Sequence, residues 1–291
     1  MQTSFTHNGS GMQAVPPHAF FAASAIFHYL GPAFAVLLFR YVDAPGVAWL
    51  RITTAAIAFG IWRRPWRTQL RGPAPQWRLL IAMGVILALM NTVFYLAIAR
   101  LPLGTVGAIE FLAPIALAVT GLQDARNLVA LAIAVTGVAL LTDVRIGGEP
   151  LGYLLAFANC ALFLGYIVVG HAFAKDGGTS GIDRIGAAML IAMVVAVPIG
   201  FRDAFPAFHD THLLLAGIGV GICSSVIPYA CDQVAMARLP RHTFALLLAM
   251  LPAMACVIGA LVLRQIPGPI ELAGIGLVIG GVLLHRSRPG T

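Results

Sequence analysis

The chain has 291 residues, of which 59% are hydrophobic and only 10% are charged, and its net charge is +7. A soluble domain carries about 25% charged residues, so this chain cannot cover a globular surface with polar groups and needs a lipid bilayer as its solvent. Its basic residues lie in short segments between apolar runs and form no stripe with interleaved aromatic residues. Nucleic acid is therefore excluded as an expected partner.

A membrane-spanning helix needs about 20 mostly apolar residues, and such runs recur along the whole chain. They predict an all-α integral membrane protein. The ten transmembrane helices are expected over residues 20–39, 45–62, 79–99, 104–122, 127–143, 151–170, 185–201, 212–236, 243–263 and 269–285. Most of the connections are short, so neighbouring spans should be antiparallel.

The polar N-terminal segment does not look like a signal peptide. Residues 1–18 contain neither Lys nor Arg, whereas a signal peptide begins with a positively charged region. We expect 1–18 to be a disordered tail and the first apolar run to be an uncleaved span.

The Lys and Arg residues predict the orientation. If the N-terminus is cytoplasmic, 12 of the 18 fall in inner loops and 5 in outer loops, and the last one, Arg51, lies within the second span. Because inner loops carry an excess of positive charge, both termini are expected in the cytoplasm, with 1–18 and 287–291 as cytoplasmic tails.

One stretch occurs twice. Ala97–Gly121 matches Ala235–Gly259, 138 positions later, with 10 identities over the 31 aligned pairs of 96–126 and 234–264. Both copies keep an Arg-Leu-Pro turn and a proline within the following helix, Pro114 and Pro252. Each proline removes one backbone donor, which fits either a simple kink or a gating hinge.

The repeat predicts two halves of opposite orientation. Residues 19–145 form the first five spans and residues 146–286 the second five, and an odd number of spans makes the second half enter the membrane from the other side. Inverted repeats of this kind build alternating-access transporters with the substrate site near the midplane. Two pairs of glycines, Gly217/Gly221 and Gly276/Gly280, have the spacing that lets helices pack closely.

Ionisable side chains at membrane depth cost at least about 2.5–3.5 kcal/mol and usually face a cavity or a partner. Glu110 lies in the fourth span, and its counterpart in the second copy is Leu248. It could bind a substrate ammonium group or carry a coupling proton. The structural alternative is a protonated carboxyl group, or one paired with Arg51, that fixes helix packing.

Two further charged residues are candidates. Asp232 lies near the inner end of the eighth span, where it could serve the site or reach the inner surface. Arg51 could pair with a substrate carboxylate, or it could form a structural ion pair. The uncharged polar residues His28, Asn91, Tyr95 and Tyr229 complete the candidate substrate or proton site, and with Asn159, Tyr166 and Gln233 they could line a cavity for a small zwitterion.

The sequence has no enzyme motif. It lacks GxSxG, HExxH, paired carboxylates on one helix and the GxxxxGK[ST] loop of ATPases, so transport would be driven by an ion gradient or by the substrate's own gradient. The four cysteines, which lie in apolar runs without metal-ligand spacing, are expected to be buried free thiols. No metal and no cofactor are expected.

Several strings resemble the EamA family of the drug/metabolite transporter superfamily, and within it the threonine/homoserine exporter branch. They are Asp43-Ala-Pro-Gly46 leading to Leu50-Arg51, Phe94-Tyr95, Leu101-Pro102-Leu103-Gly104, Glu110-Phe111 with Pro114, and Ile227-Pro228-Tyr229 with Asp232 and Arg238-Leu239-Pro240. The resemblance implies an exporter of small amino acids or related metabolites in the cell inner membrane, coupled to protons.

The second half departs from the family pattern. The family commonly has Glu before the ninth-span proline and Gly-Glu at the end of that span, where this chain has Leu251 and Arg264-Gln265. Two other readings stay open. A carboxylate among aromatic residues would also suit an exporter of cationic or aromatic drug-like compounds, and a membrane scaffold is a third reading that the inverted repeat disfavours.

Overall fold

The structure is a computed structural model that describes residues 16–66, 74–113, 125–143, 149–175, 181–238 and 251–284. Within these ranges the chain forms helices and no β-strand, so the predicted all-α fold class is confirmed. The helices are α1 (Pro17–Leu38), α2 (Ala44–Arg63), α3 (Ala74–Ile98), α4 (Leu103–Glu110), α5 (Ala125–Asp143), α6 (Pro150–Lys175), α7 (Gly181–Gly200), α8 (three consecutive segments, Thr211–Gly221, Ile222–Val226 and Ile227–Arg238), α9 (Leu251–Leu263) and α10 (Pro269–Leu284), with one short helix, Phe205–His209, between α7 and α8.

Six of these helices are long and apolar enough to cross a membrane. They are α1, α2, α3, α6, α7 and α8, whereas α5, α9 and α10 contain shorter apolar stretches of the described residues. Several helices extend beyond the apolar runs that predicted them, since α3 begins at Ala74 and α6 continues to Lys175. Helical hydrogen bonding continues past the end of an apolar run, so hydropathy underestimates helix length.

Prolines lie in the first turn of several helices, and α1, α6 and α10 begin at one. α1 starts at Pro17, and α2 carries Pro45 in its first turn after Asp43. Proline suits the first turn because its missing N–H has no intrahelical partner there. α2 ends at Arg63 and is followed by Arg64, which adopts the left-handed conformation with φ 47°.

The helices pair in a pattern that the 138-residue shift preserves. α2 packs on α7, α4 on α9 and α5 on α10, and each of these pairs joins a helix of residues 19–145 to its counterpart in 146–286. Two further contacts have a counterpart in the other half. The contact of α3 with α6 corresponds to that of α8 with α1, and the contact of α3 with α7 corresponds to that of α8 with α2. The two halves are therefore interleaved around a common centre.

Glycines allow the closest crossings. A Cβ atom at Gly31 of α1 would lie 2.4 Å from Cβ of Ser224 in α8, and one at Gly221 would lie 2.5 Å from Cβ of Thr54 in α2. The predicted close packing at Gly217 and Gly221 is thus confirmed. At Gly276 and Gly280 it finds no support, because no atom of the described residues lies within 4 Å of a Cβ added there, whereas a Cβ at the neighbouring Gly281 would lie 2.7 Å from the carbonyl oxygen of Ala130.

The middle of α8 is a π-helical segment, Ile222–Val226. Pro228 follows it, and because proline has no N–H it cannot donate the α-helical hydrogen bond to the carbonyl of Ser224. Such single-turn π segments are frequent at functional sites. This one faces α1 and α2 and places a free backbone carbonyl in the interior of the bundle.

Candidate functional site

Glu110 is buried at the C-terminal end of α4, with 7% of its surface exposed. Its Oε1 accepts a hydrogen bond of 3.1 Å from Nδ2 of Asn159 in α6. The other end of α4 is held by the segment between α9 and α10, where the Gln265 side chain accepts a 3.1 Å hydrogen bond from the backbone N–H of Leu103. Gln265, where the family pattern has a glutamate, therefore caps the helix that carries Glu110.

Arg51 is buried in α2 and binds α8, not a carboxylate. Its Nε donates to the hydroxyl of Ser225 at 2.8 Å, and its Nη2 donates to the carbonyl of Ser224 at 3.0 Å. The guanidinium carbon also lies 5.3 Å from the ring centre of Tyr95.

The ion pair between Arg51 and Glu110, which the sequence left open as a structural alternative, is not formed. A salt bridge is formed elsewhere, between Arg63 and Asp183, with 2.7 Å between Nε and Oδ1. Arg51 and Glu110 nevertheless interact electrostatically across the site. Two of the five guanidinium donors go to the Ser224 carbonyl and the Ser225 hydroxyl, which hold Arg51 against α8.

Tyr229 of α8 is the residue that connects the charged groups. It is buried, its hydroxyl interacts with the side chain of Asn91, and it lies within electrostatic range of Arg51, Glu110 and Asp232. Asn91 and Tyr229 are 138 positions apart, so they occupy equivalent places in the two copies. A pair of equivalent residues meets in the centre between the two halves.

Asp232 is half-buried one turn after Tyr229. Ser24 of α1 interacts with Asp232 and donates its hydroxyl hydrogen bond to the carbonyl of Pro228 at 3.4 Å, and Tyr166 of α6 lies within electrostatic range of Asp232. Asp232 therefore lies at the edge of the site, close to a neighbouring helix.

His28 and Tyr95 are also brought to this place. His28 is within electrostatic range of Arg51 and packs edge-on against the ring of Tyr29, with ring centres 5.2 Å apart. Tyr95 lies under the Arg51 guanidinium. All seven polar residues chosen from the sequence thus lie in one neighbourhood.

We call this neighbourhood the central polar cluster. It comprises the seven candidate residues, Asn159, which the sequence indicated as a possible cavity-lining residue, and three residues that the sequence did not indicate, Tyr29, Ser224 and Ser225. A tyrosine or a serine in an apolar run is ordinary in sequence terms, which is why Tyr29 and the serines were missed. Two features of the sequence could have indicated these residues. Pro228 cannot donate a backbone hydrogen bond to the carbonyl of Ser224, and Tyr29 is adjacent to His28.

Three polar atoms of the cluster are buried without a hydrogen-bond partner among the described residues. They are the hydroxyl groups of Tyr29 and Tyr95 and Oδ1 of Asn159, and all three side chains are fully buried. Buried polar groups are nearly always paired in folded proteins, so these atoms are suited to receive a ligand.

The two prolines remain predictions. Pro114 lies outside the described residues, while Pro252 is buried in the first turn of α9 as described.

Metal chemistry finds no support in the described part of the chain, where no three His, Cys, Asp or Glu residues are grouped to hold an ion. The four cysteines are free thiols, as predicted, although they are half-buried rather than fully buried.

Apolar helices thus surround a centre that holds the guanidinium group of Arg51 and the carboxyl groups of Glu110 and Asp232, as is typical of substrate and ion pathways in membrane proteins. The model of the EamA-like transporter family matches residues 150–286. The threonine/homoserine exporter RhtA of Escherichia coli (strain K12) is 34% identical over 256 residues, which cover 86% of this chain and 84% of the relative. The exporter of the same name from Salmonella typhimurium (strain LT2) is 31% identical over 269 residues, covering 89% and 88%.

The chain belongs to the EamA-like transporter family, and its relatives are transporters rather than enzymes. A chain of known crystal structure, 19% identical in sequence, has the same fold, with a TM-score of 0.60 over 92% of this chain and 97% of that one.

Proposed function

We propose that this protein is a secondary transporter that exports small amino acids of the threonine and homoserine type, or related metabolites, by alternating access. The observation that carries the proposal is the separation of Glu110 and Arg51 inside one cluster. One carboxyl group and one guanidinium group share the site without forming a salt bridge to each other. The named function of the relatives, threonine/homoserine export, supports the same substrate class.

A zwitterion fits this arrangement because it carries both complementary charges. Its ammonium group would bind at Glu110 and its carboxylate at Arg51, whose planar donors suit a carboxylate. The carboxylate would compete with the Ser224 carbonyl and the Ser225 hydroxyl for the guanidinium donors. Binding would in this way loosen the contact between α2 and α8, which come from different halves.

The architecture we propose has ten transmembrane helices in two inverted repeats, 19–145 and 146–286. The packing of α2, α4 and α5 on their counterparts α7, α9 and α10 supports it, as does the match of the family model to 150–286. A location in the cell inner membrane with both termini cytoplasmic follows from the charge bias and the resemblance. Pro114 and Pro252 would act as hinges at equivalent places.

Proton coupling is the energy source that we propose. The sequence has no ATPase loop, and Glu110 and Asp232 are carboxyl groups within one cluster that can carry protons. Tyr229 interacts electrostatically with both of them, and its hydroxyl can both donate and accept a hydrogen bond.

Export of cationic or aromatic drug-like compounds is the second candidate. The aromatic residues Phe94, Tyr95, Phe111 and Tyr229 are all buried in this region and would favour such compounds. The guanidinium group of Arg51 argues against them, because a buried positive charge repels a cation that has no carboxylate.

Uptake into proteoliposomes separates these functions. With a pH gradient imposed, labelled L-threonine is expected to accumulate, and a labelled hydrophobic cation of similar size is not. Accumulation of the cation alone would favour the drug-exporter function, and accumulation of neither would contradict transport of both classes. Empty liposomes with the same gradient control for passive leakage.

A further inference from the structure

Two polar atoms beside Glu110 have no hydrogen-bond partner among the described residues, Oδ1 of Asn159 and the hydroxyl oxygen of Tyr29. Both side chains have 0% of their surface exposed, so bulk water does not reach them from outside the bundle. The substrate charges assigned above use Glu110 and Arg51 and leave these two oxygens without a role.

Asn159 is oriented by Glu110. Its Nδ2 donates to Oε1 of Glu110 at 3.1 Å, and the other atom of the same amide group, Oδ1, is an acceptor only. The hydrogen bond therefore places an amide oxygen next to the carboxylate.

Tyr29 reaches the same place from α1. A Cβ added to Gly107 would lie 3.1 Å from its hydroxyl oxygen, and Gly107 is three residues before Glu110, on the same face of α4. Tyr29 also interacts electrostatically with Glu110. Tyr29 of α1 and Asn159 of α6 thus both approach the part of α4 that carries Glu110.

We propose that Glu110, Asn159 and Tyr29 together bind the primary ammonium group of the substrate, and that they select against N-alkylated amines. An R–NH₃⁺ group has three N–H donors, one for each residue. Replacing one N–H by a methyl group leaves an acceptor buried without a partner, and a site built to hydrogen-bond a group rejects the analogue that lacks it. The inference rests on the proposed function, because it takes an amino acid as the substrate.

Competition against labelled L-threonine in proteoliposomes tests the inference on the unaltered protein. Unlabelled L-threonine and N-methyl-L-threonine are compared as competitors at the same pH. We expect the N-methyl compound to need at least about tenfold higher concentration for half inhibition, the cost of one charged hydrogen bond. Equal competition would overturn the inference and leave amino-acid transport in place. Failure of the unaltered protein to transport threonine at all would instead contradict the proposed function.

Variants of Tyr29 and Asn159 test whether these residues cause the preference for a primary ammonium group. Tyr29→Phe removes only the hydroxyl group. It is expected to raise KM for threonine by about tenfold and to reduce the difference between the half-inhibitory concentrations of L-threonine and N-methyl-L-threonine. Asn159→Leu is also expected to reduce the difference between these two half-inhibitory concentrations. The matched control is Tyr41→Phe, the same change at a tyrosine that is 66% exposed between α1 and α2. If Tyr29→Phe behaves like the control, Tyr29 has no part in the ammonium site.

Discussion

Single residues of this protein show how a buried charge is kept without a matching charge. The Arg51 guanidinium is held by a serine hydroxyl, a backbone carbonyl and the face of Tyr95. Glu110 is held by an amide donor from Asn159. Both charged groups are thus positioned by neutral partners, which leaves each of them available to a substrate group of opposite charge.

Glu110→Gln tests the role of the carboxyl group. The substitution keeps the size of the side chain but removes its charge and its proton exchange, so transport of labelled threonine is expected to fall to the background of empty liposomes. Expression and the elution profile in detergent are expected to stay unchanged, because the Gln carbonyl can still accept from Asn159.

Glu149→Gln is the control for this prediction, since Glu149 is exposed before α6. Its transport should equal that of the unaltered protein. Normal transport by Glu110→Gln, with an unchanged pH dependence, would show that Glu110 is structural.

At the scale of the helices, α8 depends on an irregular segment. Its π turn at Ile222–Val226 and Pro228 present the Ser224 carbonyl to Arg51. α1 passes this turn at Gly31, where a Cβ would lie 2.4 Å from Cβ of Ser224 and 2.6 Å from its backbone nitrogen. A glycine at this position is therefore what lets α1 and α8 come together beside the central polar cluster.

Gly31→Ala is expected to lower the thermal stability of the purified protein. Backbone atoms of α8 must move to admit the methyl group, at a cost of about 1–3 kcal/mol, and the contact of Arg51 with Ser224 would move with them. Size-exclusion chromatography after heating gives the shift in apparent Tm.

Gly219→Ala, in α8, is the matched control, because no atom of the described residues lies within 4 Å of a Cβ at that position. We expect its apparent Tm to be equal to or slightly above that of the unaltered protein, since alanine is the better helix former. Equal losses in both variants would contradict the close approach at Gly31.

At the scale of the whole molecule, the cluster lies where the two halves meet. Arg51 and Glu110 come from the first half, whereas Tyr229 and Asp232 come from the second. The pairs α2–α7, α4–α9 and α5–α10 join equivalent helices. A rearrangement of one half against the other would therefore alter the cluster directly, which is what alternating access requires of a substrate site.

Orientation in the membrane is tested by labelling. In a variant with its four native cysteines replaced, Thr68→Cys is expected to react with an impermeant maleimide in inside-out vesicles and not in intact cells. Tyr41→Cys, in the exposed loop between α1 and α2, should show the reverse. Labelling of position 68 from outside would overturn the predicted orientation, which places its basic loop in the cytoplasm.

The sequence by itself determined the class of protein, the membrane as its solvent and most of the polar residues of the site. It could do so because placing a charged or strongly polar group at membrane depth costs free energy, so each such residue in an apolar run is rare and can be recognised from the sequence alone. Glu110 was distinguished in the same way, as the acid that its repeat copy lacks.

Only the tertiary structure decided which groups pair. Arg51 binds Ser224 and Ser225, which are more than 170 positions away along the chain, and Asn159 rather than Arg51 binds Glu110. The hydroxyl of Tyr29 became a candidate only when packing showed it buried without a partner beside Gly107. Hydrogen bonds depend on distance and direction in space, and helix crossings set these quantities, whereas local sequence reports which groups are present.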